Sequence, residues 1–256
     1  MIQVLDVEAL GIPVIVLPEN SPSQAGGVSE PAPACSPCAA YRPAPQPDGN
    51  LVVDPEIHLP SPGMDVDIGY YYNAVSLYNG PFGYKRSLSP NLLAQASGSP
   101  AIVTLTRGDT SVVSYQYNAG SGEYVPQTPG LLNSLVEDTT DNLWKETTLD
   151  GVVTAYPLDT AGHVTSATYI QDAVGNTHTL SYSGGRLSTI EEGAGRRVTF
   201  GYDTNHLLQS IEDWAGRITT LSYDTTTFSG QPVLTEVTGP TGCQTQYQYT
   251  SITPVP

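Results

Sequence analysis

Cys35-Ser-Pro-Cys38 has the C-x-x-C spacing used in thiol–disulfide exchange and in half of a zinc site. An exchange centre needs a helix N-terminus or a cation to lower the thiol pKa, and the Pro-rich flanks offer no helix. A zinc site needs two further ligands, and the third cysteine, Cys243, is some two hundred residues away. The spacing therefore reads as a local disulfide or two free thiols, the disulfide being favoured outside the cell. Paired acids, Glu191-Glu192 and Glu212-Asp213, have the chemistry to divide general-acid and nucleophile roles in glycoside cleavage. Both pairs recur at one place, directly after Ile190 and Ile211, so turn geometry and solubility account for them. His163 and His206 recur in register, His178 falls on an expected strand, and His58 stands apart. No serine, cysteine or aspartate is spaced to complete a triad with them. Asp65-Val-Asp67 is the nearest approach to a calcium loop and reads as the outer face of a strand. The expectation is a non-enzymatic chain with no catalytic residue, cofactor or metal site.

The sixteen tyrosines are the remaining chemical resource. Aromatic faces can stack on sugars, but their spacing points first to packing. Five frames begin at Gly151, Gly175, Gly195, Gly216 and Gly242, separated by 24, 20, 21 and 26 residues. Five residues after each glycine stand Tyr156, Leu180, Phe200, Leu221 and Tyr247; seven after stand Leu158, Tyr182, Tyr202, Tyr223 and Tyr249. Apolar residues two apart with small or polar neighbours give the period of a half-buried strand. A second strand is expected at the tetrads Val164–Ala167, Leu187–Ile190, Leu208–Ile211 and Leu234–Val237. Asp159–Gly162, Ser183–Gly185 and Asp203–Asn205 supply the turns between strands. Asp203 and Asp224 each follow a tyrosine directly. Each unit is a hairpin, too short for a helical crossover, so neighbouring strands pair antiparallel.

The frames Gly195-Arg-Arg-Val-Thr-Phe-Gly-Tyr-Asp203 and Gly216-Arg-Ile-Thr-Thr-Leu-Ser-Tyr-Asp224, with their L-x-x-I companions, resemble the YD repeat of the Rhs proteins. That group includes bacterial polymorphic toxins, insecticidal toxin-complex shells and the animal teneurins. The resemblance is strongest over 151–250. It continues upstream, where 77–93 and 115–138 resemble the lead-in that precedes such repeats. The departures are specific. Phe82-Gly-Tyr-Lys-Arg86 places two cations where the family often carries an aromatic, Tyr-Asp itself occurs in two of five frames, and the family's self-cleaving core and toxin domain are missing. The resemblance implies a curved, open sheet of antiparallel hairpins, part of a shell that in toxin members encloses a cargo. At about 4.8 Å per strand, roughly ten strands span only about 48 Å, too little to close a shell.

Composition bounds the partners. Nine Lys and Arg against 25 Asp and Glu give a net charge of −16, which disfavours nucleic acid and anionic membranes. The longest apolar run, from Gly11 to Leu17, contains Pro13 and is far short of the ~20 residues of a membrane span. Asp6 and Glu8 argue against a signal peptide. The organisation expected is a possible strand at 1–17, a Pro-rich linker at 18–50, a β lead-in at 51–150 and the repeat array at 151–256. No window shows capped helical periodicity except a turn near Ser89–Ala96. The last frame ends in alternating Gln244–Thr250 with no charged residue and no visible cap, so an open edge is expected there. Its partner would be further repeats of the same chain or a second subunit. The role expected is a structural scaffold, the opening portion of a YD-repeat shell, secreted or at the cell surface. The competing role is a β module that binds a glycan or a protein there.

Overall fold

The computed structural model describes residues 13–16, 51–74, 76–98, 102–226 and 230–249. The fold is all-β, and among the described residues every element is a strand and every pairing antiparallel. The expected linker at 18–50 lies outside the described residues. So does most of the expected N-terminal strand, of which β1 (Pro13–Val16) is described.

The lead-in builds two different structures. Its first part gives β2 (Leu51–Leu59), β3 (Val66–Tyr72), the short hairpin of β4 (Asn79–Gly80) and β5 (Gly83–Tyr84), and β6 (Arg86–Leu88). The Asn79-Gly80 turn signal works through its neighbour: Gly80 pairs with Gly83, leaving Pro81 and Phe82 as the turn. Strands β2, β3 and β6 form a separate three-stranded sheet. The second part gives β7 (Leu93–Ser97), β8 (Ile102–Thr106), β9 (Val112–Asn118), β10 (Glu123–Pro126), β11 (Ser134–Asp138) and β12 (Leu143–Thr147). The helical turn expected near Ser89–Ala96 is absent. Leu93 to Ser97 is instead a strand, with Ala94 and Ala96 turned inward and Gln95 outward.

The frames fold as hairpins. First strands are β13 (Val153–Pro157), β16 (Thr177–Ser183), β18 (Arg197–Tyr202), β20 (Ile218–Asp224) and β22 (Gln244–Tyr249). Companions are β15 (Tyr169–Gln171), β17 (Arg186–Glu191), β19 (Leu208–Glu212) and β21 (Val233–Thr238). The frame glycines Gly175, Gly195, Gly216 and Gly242 all have φ between +75° and +96°, the left-handed conformation each tight turn requires. Leu180, Phe200 and Leu221 are buried while Thr179, Thr199 and Thr220 are exposed, so the two-residue period reads the inward face correctly.

One tetrad is out of register. The companion of the Gly151 frame is not Val164–Ala167 but Ala167–Ile170, three residues on. Ile170 stands opposite His178 as Ile190 stands opposite Val198 and Ile211 opposite Thr219. This choice buries Ala167 completely and packs Ile170 on the core, whereas Val164 stays 58% exposed. The displaced residues form β14 (Val164–Ser166), which pairs with β7.

All but the lead-in sheet and the short hairpin belong to one open sheet of 17 strands. From one end the ladder runs β1, β22 back through β15, then β13 back through β7, and ends in β14. The β7–β13 portion curls over its own core of Val103, Leu105, Tyr115, Trp144 and Tyr156. The inward face of β16–β22 is covered by the lead-in sheet, whose Ile68, Tyr70, Tyr72 and Leu88 pack against Phe200, Leu208, Ile211 and Leu234. The edge of β22, expected to be open, is paired with β1: an N-terminal segment rich in β-branched residues supplies the missing ladder.

Candidate functional site

The recurring residues converge on the hairpins. In three units the same irregularity appears. Leu180 faces Ile190 and Tyr182 faces Leu187, so Ser188 is an extra residue on the companion strand. Gln209 and Thr235 are extra in the next two, where Tyr202 faces Leu208 and Tyr223 faces Leu234. Each is a β-bulge, which bends the strand and sharpens its twist. Three tyrosine hydroxyls reach back to the preceding unit, those of Tyr182 and Tyr202 beside such a bulge and that of Tyr249 without one. Tyr182 donates to the Ala167 carbonyl, Tyr202 to Leu187 and Tyr249 to Leu234, each at 2.8 Å and each across fifteen residues.

Tyr223 breaks the series. Its hydroxyl is buried without a hydrogen-bond partner among the described residues. The lead-in turn packs beside it: the Leu208 N–H donates to the Pro81 carbonyl at 2.7 Å, and Gly83 lies so close that a Cβ there would stand 3.2 Å from the Tyr223 ring. Burial pushes the Tyr182 phenol up to about 12, and Tyr202 and Tyr223 higher still. Burial therefore keeps these phenols in the neutral form.

The aspartates of the two Tyr-Asp pairs clamp turns. Asp203 accepts from the N–H groups of Asn205 and Leu207, and Asp224 from Thr226. Asp138, Asp159 and Asp172 make the same turn elsewhere. The paired acids do not act as pairs. Glu191 binds Arg197, Asp213 binds Arg217, and Glu192 accepts from Arg196 Nε at 3.0 Å and Ser61 Oγ at 2.7 Å. Burial alone would raise the Glu192 carboxyl, but these donors outweigh it and bring it to about 2. Arg196 lies 4.0 Å over the Trp214 ring and reaches the Pro60 carbonyl, so this clamp also fastens the lead-in to the array.

Three of the four histidines bond to other groups of the chain. His178 is buried and bonds the Met64 carbonyl at 2.8 Å; His58 and His163 pair with Asp67 and Asp159, and His206 adopts a positive φ in a turn. Asp65 and Asp67 both face His58. Among the described residues no three His, Cys, Asp or Glu side chains gather as metal ligands. Cys35 and Cys38 lie outside the described residues. Cys243 is disulfide-bonded, a state the spacing argument does not assign to it.

Two further charges, Glu146 and Arg86, are buried. Glu146, 1% exposed inside the β7–β13 curl, takes a two-pronged bond from Arg107 and further bonds from Tyr115 at 2.5 Å and Asn133 at 3.0 Å. Burial opposes its ionisation and the Arg107 and Tyr115 bonds outweigh that, so its pKa is lowered. Arg86, one of the two unexpected cations, is also 1% exposed. Its guanidinium lies 4.2 Å from the Tyr247 ring centre and 5.2 Å from Tyr72, and it donates to the Tyr249 hydroxyl. The partners of Glu146 come from segments without a shared period, and Arg86 lies outside the repeats although Tyr247 and Tyr249 belong to the last frame, so no spacing paired either charge with its partners. Among the described residues one tyrosine stands out as exposed. Tyr117, 36% exposed, lies 5.3 Å from Tyr124, which stands edge-on to Trp144 at 5.1 Å.

No family model and no curated protein matches the chain. Among solved structures it is similar to the N-terminal domain of effector protein SpvB from Salmonella typhimurium strain LT2, with a TM-score of 0.42 and 12% identity over 77% of this chain and 99% of that one.

Proposed function

We propose that the protein is a non-enzymatic repeat scaffold, the opening portion of an Rhs-type YD-repeat sheet that encloses or presents a partner. The observation that carries this reading is the use made of the recurring polar groups. Tyrosine hydroxyls bond the backbone of the preceding unit, and the acids close turns or fasten the lead-in. Groups that recur in register and bind their own backbone support geometry rather than turnover. The lead-in sheet covers the inward face of β16–β22, so a partner sits beyond this stretch or on its outer surface. A disulfide at Cys243 supports a place outside the reducing cytosol, secreted or at the cell surface.

A second reading, a glycan-binding module, is favoured by the partly exposed Tyr117 beside Tyr124, whose hydroxyl bonds Glu137 at 3.1 Å. A glycan array with the wild-type chain and Tyr117→Ala separates the two. The scaffold reading expects no saccharide to depend on Tyr117. Saccharide binding that disappears in Tyr117→Ala replaces it with the second.

A further inference from the structure

The strand that covers β22 stands in the register of a repeat companion. In three of the four completed units the residue five after the frame glycine faces the Ile or Val that closes the tetrad: Leu180 faces Ile190, Phe200 faces Ile211 and Leu221 faces Val237. On β22 the corresponding residue is Tyr247, and it faces Ile15 of β1. The sequence there, Ile12-Pro-Val-Ile15, repeats the apolar-x-x-Ile spacing of Leu187–Ile190 and Leu208–Ile211. The imitation is incomplete. Pro13 faces Tyr249 with no register shift, so the bulge found opposite Tyr182, Tyr202 and Tyr223 is missing, and proline brings no N–H to the ladder. Among the described residues β1 is four residues long, against six for β17 and β21.

We propose that the outer edge of β22 is an acceptor site for an extended strand of the apolar-x-x-Ile type, which β1 occupies as a displaceable stand-in. The occupant it fits is a repeat companion strand, antiparallel to β22, with its Ile opposite Tyr247 and room for the bulge that β1 lacks. Recognition is by strand addition: the ladder supplies affinity, and the two inward apolar positions supply selectivity. This holds whether or not the array encloses a cargo.

The probe is a fluorescein-labelled peptide with the sequence of residues 185–192, Gly-Arg-Leu-Ser-Thr-Ile-Glu-Glu, titrated onto the full chain. The variant Ile15→Pro removes a second donor from β1 and weakens its hold on β22. The peptide is expected to bind this variant about tenfold or more tighter than wild type, since β1 no longer competes. A peptide with Lys in place of its Ile is expected not to bind. As Ile15→Pro could disturb folding, hydrogen exchange is also followed in the wild-type chain, where excess peptide should speed exchange at 14–16 and leave β22 protected. Equal affinity for variant and wild type, or equal binding of the Lys peptide, overturns the proposal. Unchanged exchange at 14–16 under saturating peptide overturns it too. Dimers of the variant that the peptide does not dissociate show an edge that prefers its own copy, and overturn it as well.

Discussion

Two conservative substitutions at the same repeat position should behave oppositely. Tyr202→Phe deletes a hydroxyl that donates to the Leu187 carbonyl at 2.8 Å. Tyr223→Phe deletes one that is buried with no partner among the described residues. A satisfied hydrogen bond is worth a net ~1 kcal/mol, and an orphaned buried acceptor adds to its loss, so Tyr202→Phe should cost about 1–2 kcal/mol. Removing an unsatisfied buried hydroxyl relieves a desolvation cost, so Tyr223→Phe should be neutral or stabilise by up to about 1 kcal/mol. Ring packing is retained in both, which isolates the hydroxyl. Urea unfolding followed by fluorescence of Trp144 and Trp214 reads the difference. With a slope of about 2–3 kcal/mol/M, the Tyr202→Phe midpoint should fall by roughly 0.5 M and the Tyr223→Phe midpoint should hold or rise. Equal losses in the two variants would refute the idea that the fifteen-residue bond holds the hairpins together.

Other outcomes follow from the same contacts. Phe200→Ala should cost about 3–5 kcal/mol in urea unfolding, while its exposed neighbour Thr199→Ala should cost well under 1. The Glu192 carboxyl is held at about 2 in the folded chain against an ordinary value of 4.5. Its stabilisation is therefore present above about pH 4.5 and lost as the pH falls toward 2, because protonation breaks the Arg196 and Ser61 bonds. Glu192→Gln should accordingly be less stable than wild type at pH 7 and match it near pH 2 in thermal unfolding. Cys243→Ser should lower stability by about 2–5 kcal/mol under oxidising conditions and have no effect once the wild type is reduced, as urea titrations with and without dithiothreitol will show.

The hairpin array was legible because its signals repeat. Gly175, Gly195, Gly216 and Gly242 mark left-handed turns, and Leu180, Phe200 and Leu221 mark the core face. For the first companion strand the pattern misleads by three residues, because Val164 looks more like a strand opener than Ala167. Burial decides otherwise: Ala167 fits where the sheet packs completely, and Val164 is left outside. The edge of β22 could not be read locally because its cover, β1, lies more than two hundred residues away in sequence. Arg86 and Glu146 were missed for the same reason. Glu146 is held by Arg107, Tyr115 and Asn133 from non-repeating segments, and Arg86 by Tyr247 and Tyr249 of the last frame, far along the chain; charge at those positions looks like solvated surface until the fold brings the partners together.

The tyrosine bonds also set where the array tolerates change. From Leu187 to Tyr202, and from Leu234 to Tyr249, the donor and acceptor are fifteen residues apart, so insertion within that span breaks the bond. Past the tyrosine the count is free: four residues separate Tyr182 from Leu187, five separate Tyr202 from Leu208, and ten separate Tyr223 from Leu234. One rim of the sheet is therefore a measured length and the other is elastic. Loops of new sequence can lengthen on the elastic rim without moving a strand, which makes that rim the place where the same scaffold can acquire different surfaces.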